Sequence, residues 1–140
     1  MTFIHMHFNI DYKTPDVKEY QTLRATTNWL PVKDDMVYTA LKTSLHIVCL
    51  RQNEKLIAMG RIIGDSGLYY YIQDIIVLPS HQKMGLGTQI MNELLAWLNK
   101  HAAPNSFIGL MAAKDSVDFY EKFKFSIRPA NAPGMYMLLS

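Results

Sequence analysis

Gln82, Gly85 and Gly87 stand in the spacing Q-x-x-G-x-G, inside the stretch Val77-Leu78-Pro79-Ser80-His81-Gln82-Lys83-Met84-Gly85-Leu86-Gly87-Thr88. An apolar strand runs into this basic turn, and a glycine-opened amphipathic helix runs out of it. N–H groups at such a helix start are unpaired and lie at the positive end of the helix dipole, where a phosphate or pyrophosphate binds. Neither glycine carries a Cβ, so the main chain can approach a ligand closely. Lys83 adds a charge. Two other phosphate loops are excluded. The nucleoside-triphosphate pattern G-x-x-x-x-G-K-[ST] has no match. The dinucleotide pattern G-x-G-x-x-G needs a third glycine where Ile90 stands, and an acidic residue where Gly109-Leu110-Met111 stands.

Other residues able to do chemistry are more dispersed. Asp74 is a charge inside an apolar strand, a placement that asks for a reason. It is either a base or a structural partner for a nearby N–H group or cation, and the sequence leaves both open. Tyr71 and Gln73 fall on the opposite face by strand alternation. A base on their face excludes one at Asp74 unless a bulge re-aims the strand. His81 reads as a solvated turn residue, and His46, between apolar neighbours, as a strand histidine. Cys49 sits between Val48 and Leu50 with no adjacent base, which disfavours a covalent route. No His/Cys/Asp cluster has metal-ligand spacing, so no metal is expected.

These residues need a scaffold, and the pattern supplies one. Thr2–Ile10 alternates loosely as an opening strand. Thr14, as N-cap, and Pro15 start a helix whose face is Val17, Tyr20 and Leu23 or Arg24. A break at Thr26–Lys33 holds Trp29. Asp34 caps a second helix carrying Met36, Val37, Ala40 and Leu41. Leu45–Arg51 and Lys55–Ile63 are strands around a polar turn. Tyr69–Val77 is β-branched and aromatic, hence a strand. Leu86, Ile90, Leu94, Trp97 and Leu98 repeat at helical spacing. Ser106–Met111 reads as a strand, and Asp115 or Ser116 caps a short helix through Phe123. Phe125–Arg128 and Met135–Leu139 are late strands around a turn at Asn131-Ala132-Pro133-Gly134. The order is that of a mixed α/β (α+β) domain around one sheet, with residues 1–140 as a single domain.

Composition narrows the partners. Of 140 residues, 49% are hydrophobic and 19% charged, a globular balance. A net charge of +2 with scattered basic residues gives no nucleic-acid footprint. The longest apolar runs are too short for a membrane span. The single cysteine excludes an internal disulfide and fits a reducing, cytoplasmic setting. The nine methionines read as flexible core filler or as an adaptable substrate groove.

The Gln82–Gly87 segment resembles, at every fixed position, the [QR]-x-x-G-x-[GA] pyrophosphate loop of the GNAT family of acyl-CoA-dependent N-acetyltransferases. Phe119-Tyr120-Glu121-Lys122-Phe123-Lys124-Phe125 resembles that family's F-Y-x-x-x-G-F segment, in the family's order along the chain. Lys124 departs from it, standing where glycine usually supplies positive φ after a helix. The resemblance covers roughly residues 45–128. It implies a central mixed, mostly antiparallel sheet flanked by helices and splayed at an acetyl-CoA site. It further implies that Gln82, Lys83, Met84, Gly85, Leu86, Gly87 and Thr88 wrap the pyrophosphate, while Ile75, Ile76 and Val77 pair through their backbone with the pantetheine arm. A backbone N–H near Ile76 is the implied oxyanion donor. Tyr120 is the implied general acid for the CoA thiolate, and Asp74 the candidate base. Arg24, Trp29, Tyr71 and Gln73 are placed by the same resemblance near a small-molecule amine acceptor. Direct transfer in a ternary complex is preferred, a homodimer is possible, and the competing class is an acyl-CoA-binding module without turnover. A third reading is a phosphate-binding structural protein.

Overall fold

The computed structural model describes residues 7–140. Two compact units divide it, one ending at Leu110 and the other running Met111–Ser140.

The first unit is a five-stranded sheet in the order β1-β2-β3-β4-β5, formed by β1 (Asn9–Asp11), β2 (His46–Gln52), β3 (Lys55–Gly64), β4 (Tyr69–Val77) and β5 (Phe107–Gly109). The first four pair antiparallel and β5 joins β4 in parallel. This is the mixed, mostly antiparallel sheet expected. The greater part of the opening strand read at Thr2–Ile10 lies outside the described residues.

Helices α1 (Val17–Arg24) and α2 (Asp34–Lys42) cover one face, and α3 (Leu86–His101) the other. Helix α1 starts two residues later than the threonine-proline pair suggests. Asp16 is its N-cap and accepts from the Glu19 N–H at 2.7 Å, while Glu19 reaches back to the Asp16 N–H at 2.8 Å. That reciprocal box satisfies two orphan donors at once, which a lone threonine cap does not. In α2 the N-cap is Lys33 without a side-chain bond, and Asp34 lies inside the first turn. Helix α3 buries Leu86, Ile90, Met91, Leu94 and Leu98. Each such side chain contributes roughly 1.5–3 kcal/mol of burial. Trp97, expected on that stripe, lies at its rim, stacked between His46 at 5.3 Å and His101 at 4.3 Å. Tyr12 stacks on the other side of His46 at 5.4 Å. Burial there lowers the His46 pKa from its ordinary value, with His101 adding to it.

The feature that shapes the site is a register shift in the middle of the sheet. Met59 pairs with Ile76 and Arg61 with Gln73, so Asp74 and Ile75 together oppose Gly60. Asp74 takes φ of +58°, in the left-handed region, as a bulged residue does. Gly60 is required opposite it. A Cβ there would come within 2.6 Å of Ile75 and 2.7 Å of Ile90.

The second unit contains the short helix α4 (Val117–Glu121). Ser116 is its N-cap, without a side-chain bond. Lys124 follows with φ of +71°, the positive value expected at the position where a glycine is usual. The late strands expected at Phe125–Arg128 and Met135–Leu139 do not form: neither segment is in a strand. A turn lies between them, two residues earlier than expected, closed by Ala132 N–H to the Pro129 carbonyl at 2.9 Å. An apolar run has strand propensity but needs a neighbouring strand to become one.

Candidate functional site

Strand β4 leads directly into the glycine loop. Its pairing with β5 ends at Tyr71, opposite Gly109, so Ile72–Val77 run on with that edge open within the unit. Leu78 N–H donates to the Ile57 carbonyl at 2.9 Å. By antiparallel alternation Ile76 then faces β3 as well, and Val77 faces the open edge. The Gln82 side chain confirms that direction, since its Nε2 donates to the Val77 carbonyl at 3.2 Å. The Val77 N–H, next to Ile76, is thus a free-edge donor in this stretch.

After β4 the chain makes one 3₁₀ turn at Pro79–His81. Lys83 (φ +64°) and Gly85 (φ +81°) are both left-handed. Gly85 is the N-cap of α3 and offers no side chain to bond the helix start. The first bond of the helix runs from Gln89 N–H to the Gly85 carbonyl, leaving the N–H groups of Leu86, Gly87 and Thr88 ahead of the ladder. No atom lies within 4 Å of where a Cβ at Gly85 would stand. Lys83, Met84 and Thr88 are exposed at the rim, whereas the Leu86 side chain is core, so only its main chain serves the loop. His81 is not simply solvated. Its ring nitrogens lie 2.8 Å from Ser80 Oγ and 2.7 Å from Gln52 Oε1, which ties the turn to the β2–β3 hairpin.

On the α1–α2 face, the bulge brings together groups that plain alternation separates. Gln73 Nε2 donates to Asp74 Oδ1 at 3.1 Å, so both side chains share one face. Asp74 Oδ2 accepts from Tyr20 Oη and from Arg61 Nε, each at 2.7 Å. Arg24 Nη1 lies 3.8 Å from Oδ1 and donates to Tyr20 Oη at 3.1 Å. The Asp74 side chain has no solvent exposure. Oδ2 thus takes two hydrogen bonds and Oδ1 takes that of Gln73, an arrangement that holds Gln73, Tyr20 and Arg61 together at the bulge. Burial, then the adjacent Asp74 charge, pushes the Tyr20 pKa up to about 12.

Arg24, expected near an acceptor, is engaged by groups of the first unit. Its Nη2 donates to the Leu30 carbonyl at 3.0 Å, and its guanidinium lies 5.4 Å from the Trp29 ring centre. It therefore fixes the loop that carries Trp29. Tyr71 and Gln73 are half-buried on the same face. Tyr71 also lines an apolar cleft of about 520 Å³ with Ile63, Gly64, Tyr69, Tyr70 and Phe107.

Sequence reasoning missed Tyr20 and Arg61 as partners of Asp74. A glycine in mid-strand, Gly60, was the available signal, because it marks a bulge or a close approach. Arg61, a cation in the middle of an otherwise apolar stretch of β3, was the second. Among the described residues no group of three or more His, Cys, Asp or Glu is placed to hold a metal ion. None of their helices is long and apolar enough to cross a membrane.

In the second unit Tyr120 belongs to an aromatic cluster, 5.0 Å from Phe119 and 6.3 Å from Phe125 by ring centres. It is half-buried, and burial raises its pKa above 10.

Cys49 is fully buried. Burial, then the nearby Asp11 carboxylate, pushes its thiol up to about 12. A thiolate is the reactive form. Iodoacetamide at neutral pH is accordingly expected to leave the folded protein unlabelled; stoichiometric labelling of the native state would contradict the packed placement.

Residues 8–125 match the acetyltransferase (GNAT) family. An uncharacterised N-acetyltransferase of Pyropia yezoensis is 32% identical over 128 residues, 89% of this chain and 72% of that protein. A chloroplastic serotonin N-acetyltransferase of Oryza sativa is 34% identical over 79 residues, which is 56% of this chain and 38% of the rice protein. The crystal structure of a probable acetyltransferase from meticillin-resistant Staphylococcus aureus superimposes with a TM-score of 0.90 at 28% identity, covering 95% of this chain and all of that one. A left-handed glycine opening α3, a bulged strand with an open edge beside it, and a family match over residues 8–125 lead to one assignment: the chain belongs to the GNAT family of acetyltransferases.

Proposed function

We propose that this protein is an acetyl-CoA-dependent N-acetyltransferase that moves an acetyl group directly to a primary amine of a small molecule in a ternary complex. The observation that carries this reading is the bulged β4, whose open edge leads into the left-handed Gly85 loop. An extended pantetheine arm would add to that edge as a short strand, by β-augmentation on Val77. The pyrophosphate would sit on the N–H groups of Leu86, Gly87 and Thr88, with Lys83 nearby. Peptide N–H groups at the bulge would hold the thioester oxygen as it becomes negative. Tyr120 would protonate the departing CoA thiolate.

Asp74 then acts as a positioning residue. It stabilises the left-handed bulge from below, through Tyr20 and Arg61. The amine proton leaves by water on the Tyr71–Gln73 face, where the Gln73 amide oxygen remains an acceptor while its N–H group holds Asp74. Trp29 and Tyr71 give that face an aromatic lining suited to an apolar part of the acceptor. The named activity of the rice relative is consistent with an amine of that size. A reducing, cytoplasmic setting is supported by the lone, buried Cys49. The engagement of Asp74 by Tyr20, Arg61 and Gln73 supports a second reading, an acyl-CoA-binding module without turnover.

Calorimetric titration with acetyl-CoA, CoA, NADH and ATP tests the donor, and thiol release across an amine panel tests the acceptor. Micromolar binding restricted to the two CoA species, with amine-dependent thiol release, is the expected result. Binding without release for any amine selects the second reading. No binding of either CoA species removes both.

Gly85→Asp is expected to weaken acetyl-CoA binding roughly a hundredfold. A carboxylate about 4 Å from a phosphate costs about 4 kcal/mol at an effective dielectric near 20, and solvent screening reduces that. The open space around Gly85 means that crowding by the protein is not the cause. Gly85→Ala, which carries the same backbone strain of about 1 kcal/mol without the charge, separates the two terms in calorimetry.

A further inference from the structure

Two guanidinium groups share one carboxylate behind the bulge. The Asp74 side chain has no solvent exposure, and those of Arg61 and Arg24 are 11% and 17% exposed. Arg61 Nε lies 2.7 Å from Asp74 Oδ2, a close ion pair. Arg24 Nη1 stands 3.8 Å from Oδ1, the oxygen that already accepts from Gln73. The hydrogen bonds of Arg24 go instead to neutral oxygens, Tyr20 Oη and the Leu30 carbonyl. Its Nε is buried and has no hydrogen-bond partner among the described residues. A buried donor left unpaired costs free energy, and more when its group is charged.

The carboxylates of the helices around Arg24 are engaged elsewhere. Glu19 of α1 holds Arg51 at 2.7 Å, and Asp34 of α2 accepts from Gln21 at 3.1 Å. By formal count the cluster of Asp74, Arg61 and Arg24 therefore carries one positive charge in excess. Arg24 lies in the last turn of α1, whose negative end offsets at most about half a charge. Trp29, 5.4 Å from the guanidinium by its ring centre, lies beside the same group.

We infer that the acceptor amine also carries a carboxylate, and that Arg24 is the residue that selects it. The inference rests on reading the Tyr71–Gln73 face as the acceptor side, and it narrows the acceptor from any primary amine to an amino acid in the broad sense. One carboxylate oxygen would meet the orphan Nε and the other the second hydrogen of Nη2, the parallel pairing that a guanidinium favours. A single negative charge cancels the excess. A phosphate monoester, with a charge of about −1.5 to −2 near neutrality, would overshoot it. This contact lies away from the reacting carbonyl, so it holds ground state and transition state alike and is read in KM.

Thiol release from acetyl-CoA by the full chain tests this with matched pairs. Phenylalanine, 3-(aminomethyl)benzoate and 4-(aminomethyl)benzoate are each set against their own carboxamide, at equal concentrations of neutral amine. The best carboxylate should exceed its carboxamide about 10- to 100-fold in kcat/KM, the range of a hydrogen bond to a charged group. Arg24→Gln should bring that ratio close to one, whatever it does to the common rate. Arg24→Lys should keep part of it, because it keeps the charge and loses the fork. A merely structural Arg24 would lower both members of a pair alike. A ratio near one in the natural protein overturns the inference, as does a ratio that survives Arg24→Gln. If the variants do not fold, or no amine is turned over, NMR titration of the natural protein with phenylacetate and phenylacetamide decides. Tighter binding of phenylacetate keeps the carboxylate site even where acetyl transfer fails. Equal binding, or none of either, removes the site and leaves acetyl transfer to be judged by thiol release.

Discussion

Replacing Asp74 by alanine is expected to destabilise the protein by about 3–5 kcal/mol, the usual cost of removing one partner of a buried ion pair. The carboxylate is sealed from solvent and receives Tyr20 Oη and Arg61 Nε at 2.7 Å. Without it, Arg61 is left as a charge that is 11% exposed, between sheet and helix. The residual Arg61 contacts, to Ser44 Oγ at 3.2 Å and to the Ala40 carbonyl at 3.5 Å, are neutral and long. Thermal unfolding should shift down by at least about 10 °C. Arg61→Met in the same molecule should restore part of the loss, because an apolar pair of similar volume carries no uncompensated charge. A second signature comes from Tyr20. Its folded pKa is raised from 10 to about 12, so its stabilising hydroxyl form is complete below pH 10. That contribution is lost as the pH rises through about 12, and in the Asp74 variant it should shrink without vanishing, because burial, the larger cause, remains.

Asp74→Asn separates anchoring from proton transfer. An anchor predicts a less stable enzyme whose remaining activity keeps its pH profile. A base predicts an enzyme of natural stability whose kcat collapses. The second outcome would return Asp74 to the reacting atoms.

Asp74 also shows where sequence reading succeeds and where it stops. The strand, the loop and α3 follow from local pattern: β-branched residues, a glycine pair, and an apolar stripe at helical spacing. The Q-x-x-G-x-G spacing places Gly85 at the left-handed start of α3, because that backbone conformation is a local demand. The choice between the Asp74 face and the Tyr71–Gln73 face is not local. It is made by a one-residue insertion relative to β3, and only pairing with Gly60 reveals it. Tyr20 and Arg61 lie 54 and 13 residues from Asp74 along the chain, a separation that periodicity cannot bridge. Arg24, whose type suits an anionic ligand, contacts Leu30 and Trp29 a few residues ahead as well as Tyr20 and Asp74, and a loop of irregular backbone gives no period by which to find the first two. At the C-terminus the reverse holds. Propensity marks Met135–Leu139 as strand-like, yet the segment is in no strand, because propensity alone does not supply a pairing partner.

Tyr120→Phe is expected to lower kcat by roughly 10²-fold or more, the range that a positioned general acid contributes. The KM for acetyl-CoA should change little. Phenylalanine keeps the ring contacts with Phe119 and Phe125, so the aromatic cluster and the melting temperature are preserved. What is lost is the hydroxyl proton. A CoA thiol titrates near 8.5 and an ordinary tyrosine near 10, so the transfer is nearly balanced in energy. Burial raises the Tyr120 pKa further, which keeps the acid form populated throughout the range in which amines are reactive. The natural enzyme should therefore gain activity with rising pH as the acceptor loses its proton, without an alkaline decline below pH 10. In the phenylalanine variant the thiolate must leave unassisted or take its proton from water. Its residual rate should be less penalised for donors whose thiols are more acidic. Stopped-flow or steady-state thiol detection with such donors measures that dependence. Loss of affinity equal to the loss of turnover would mean that Tyr120 packs against the cofactor and does nothing to the leaving group.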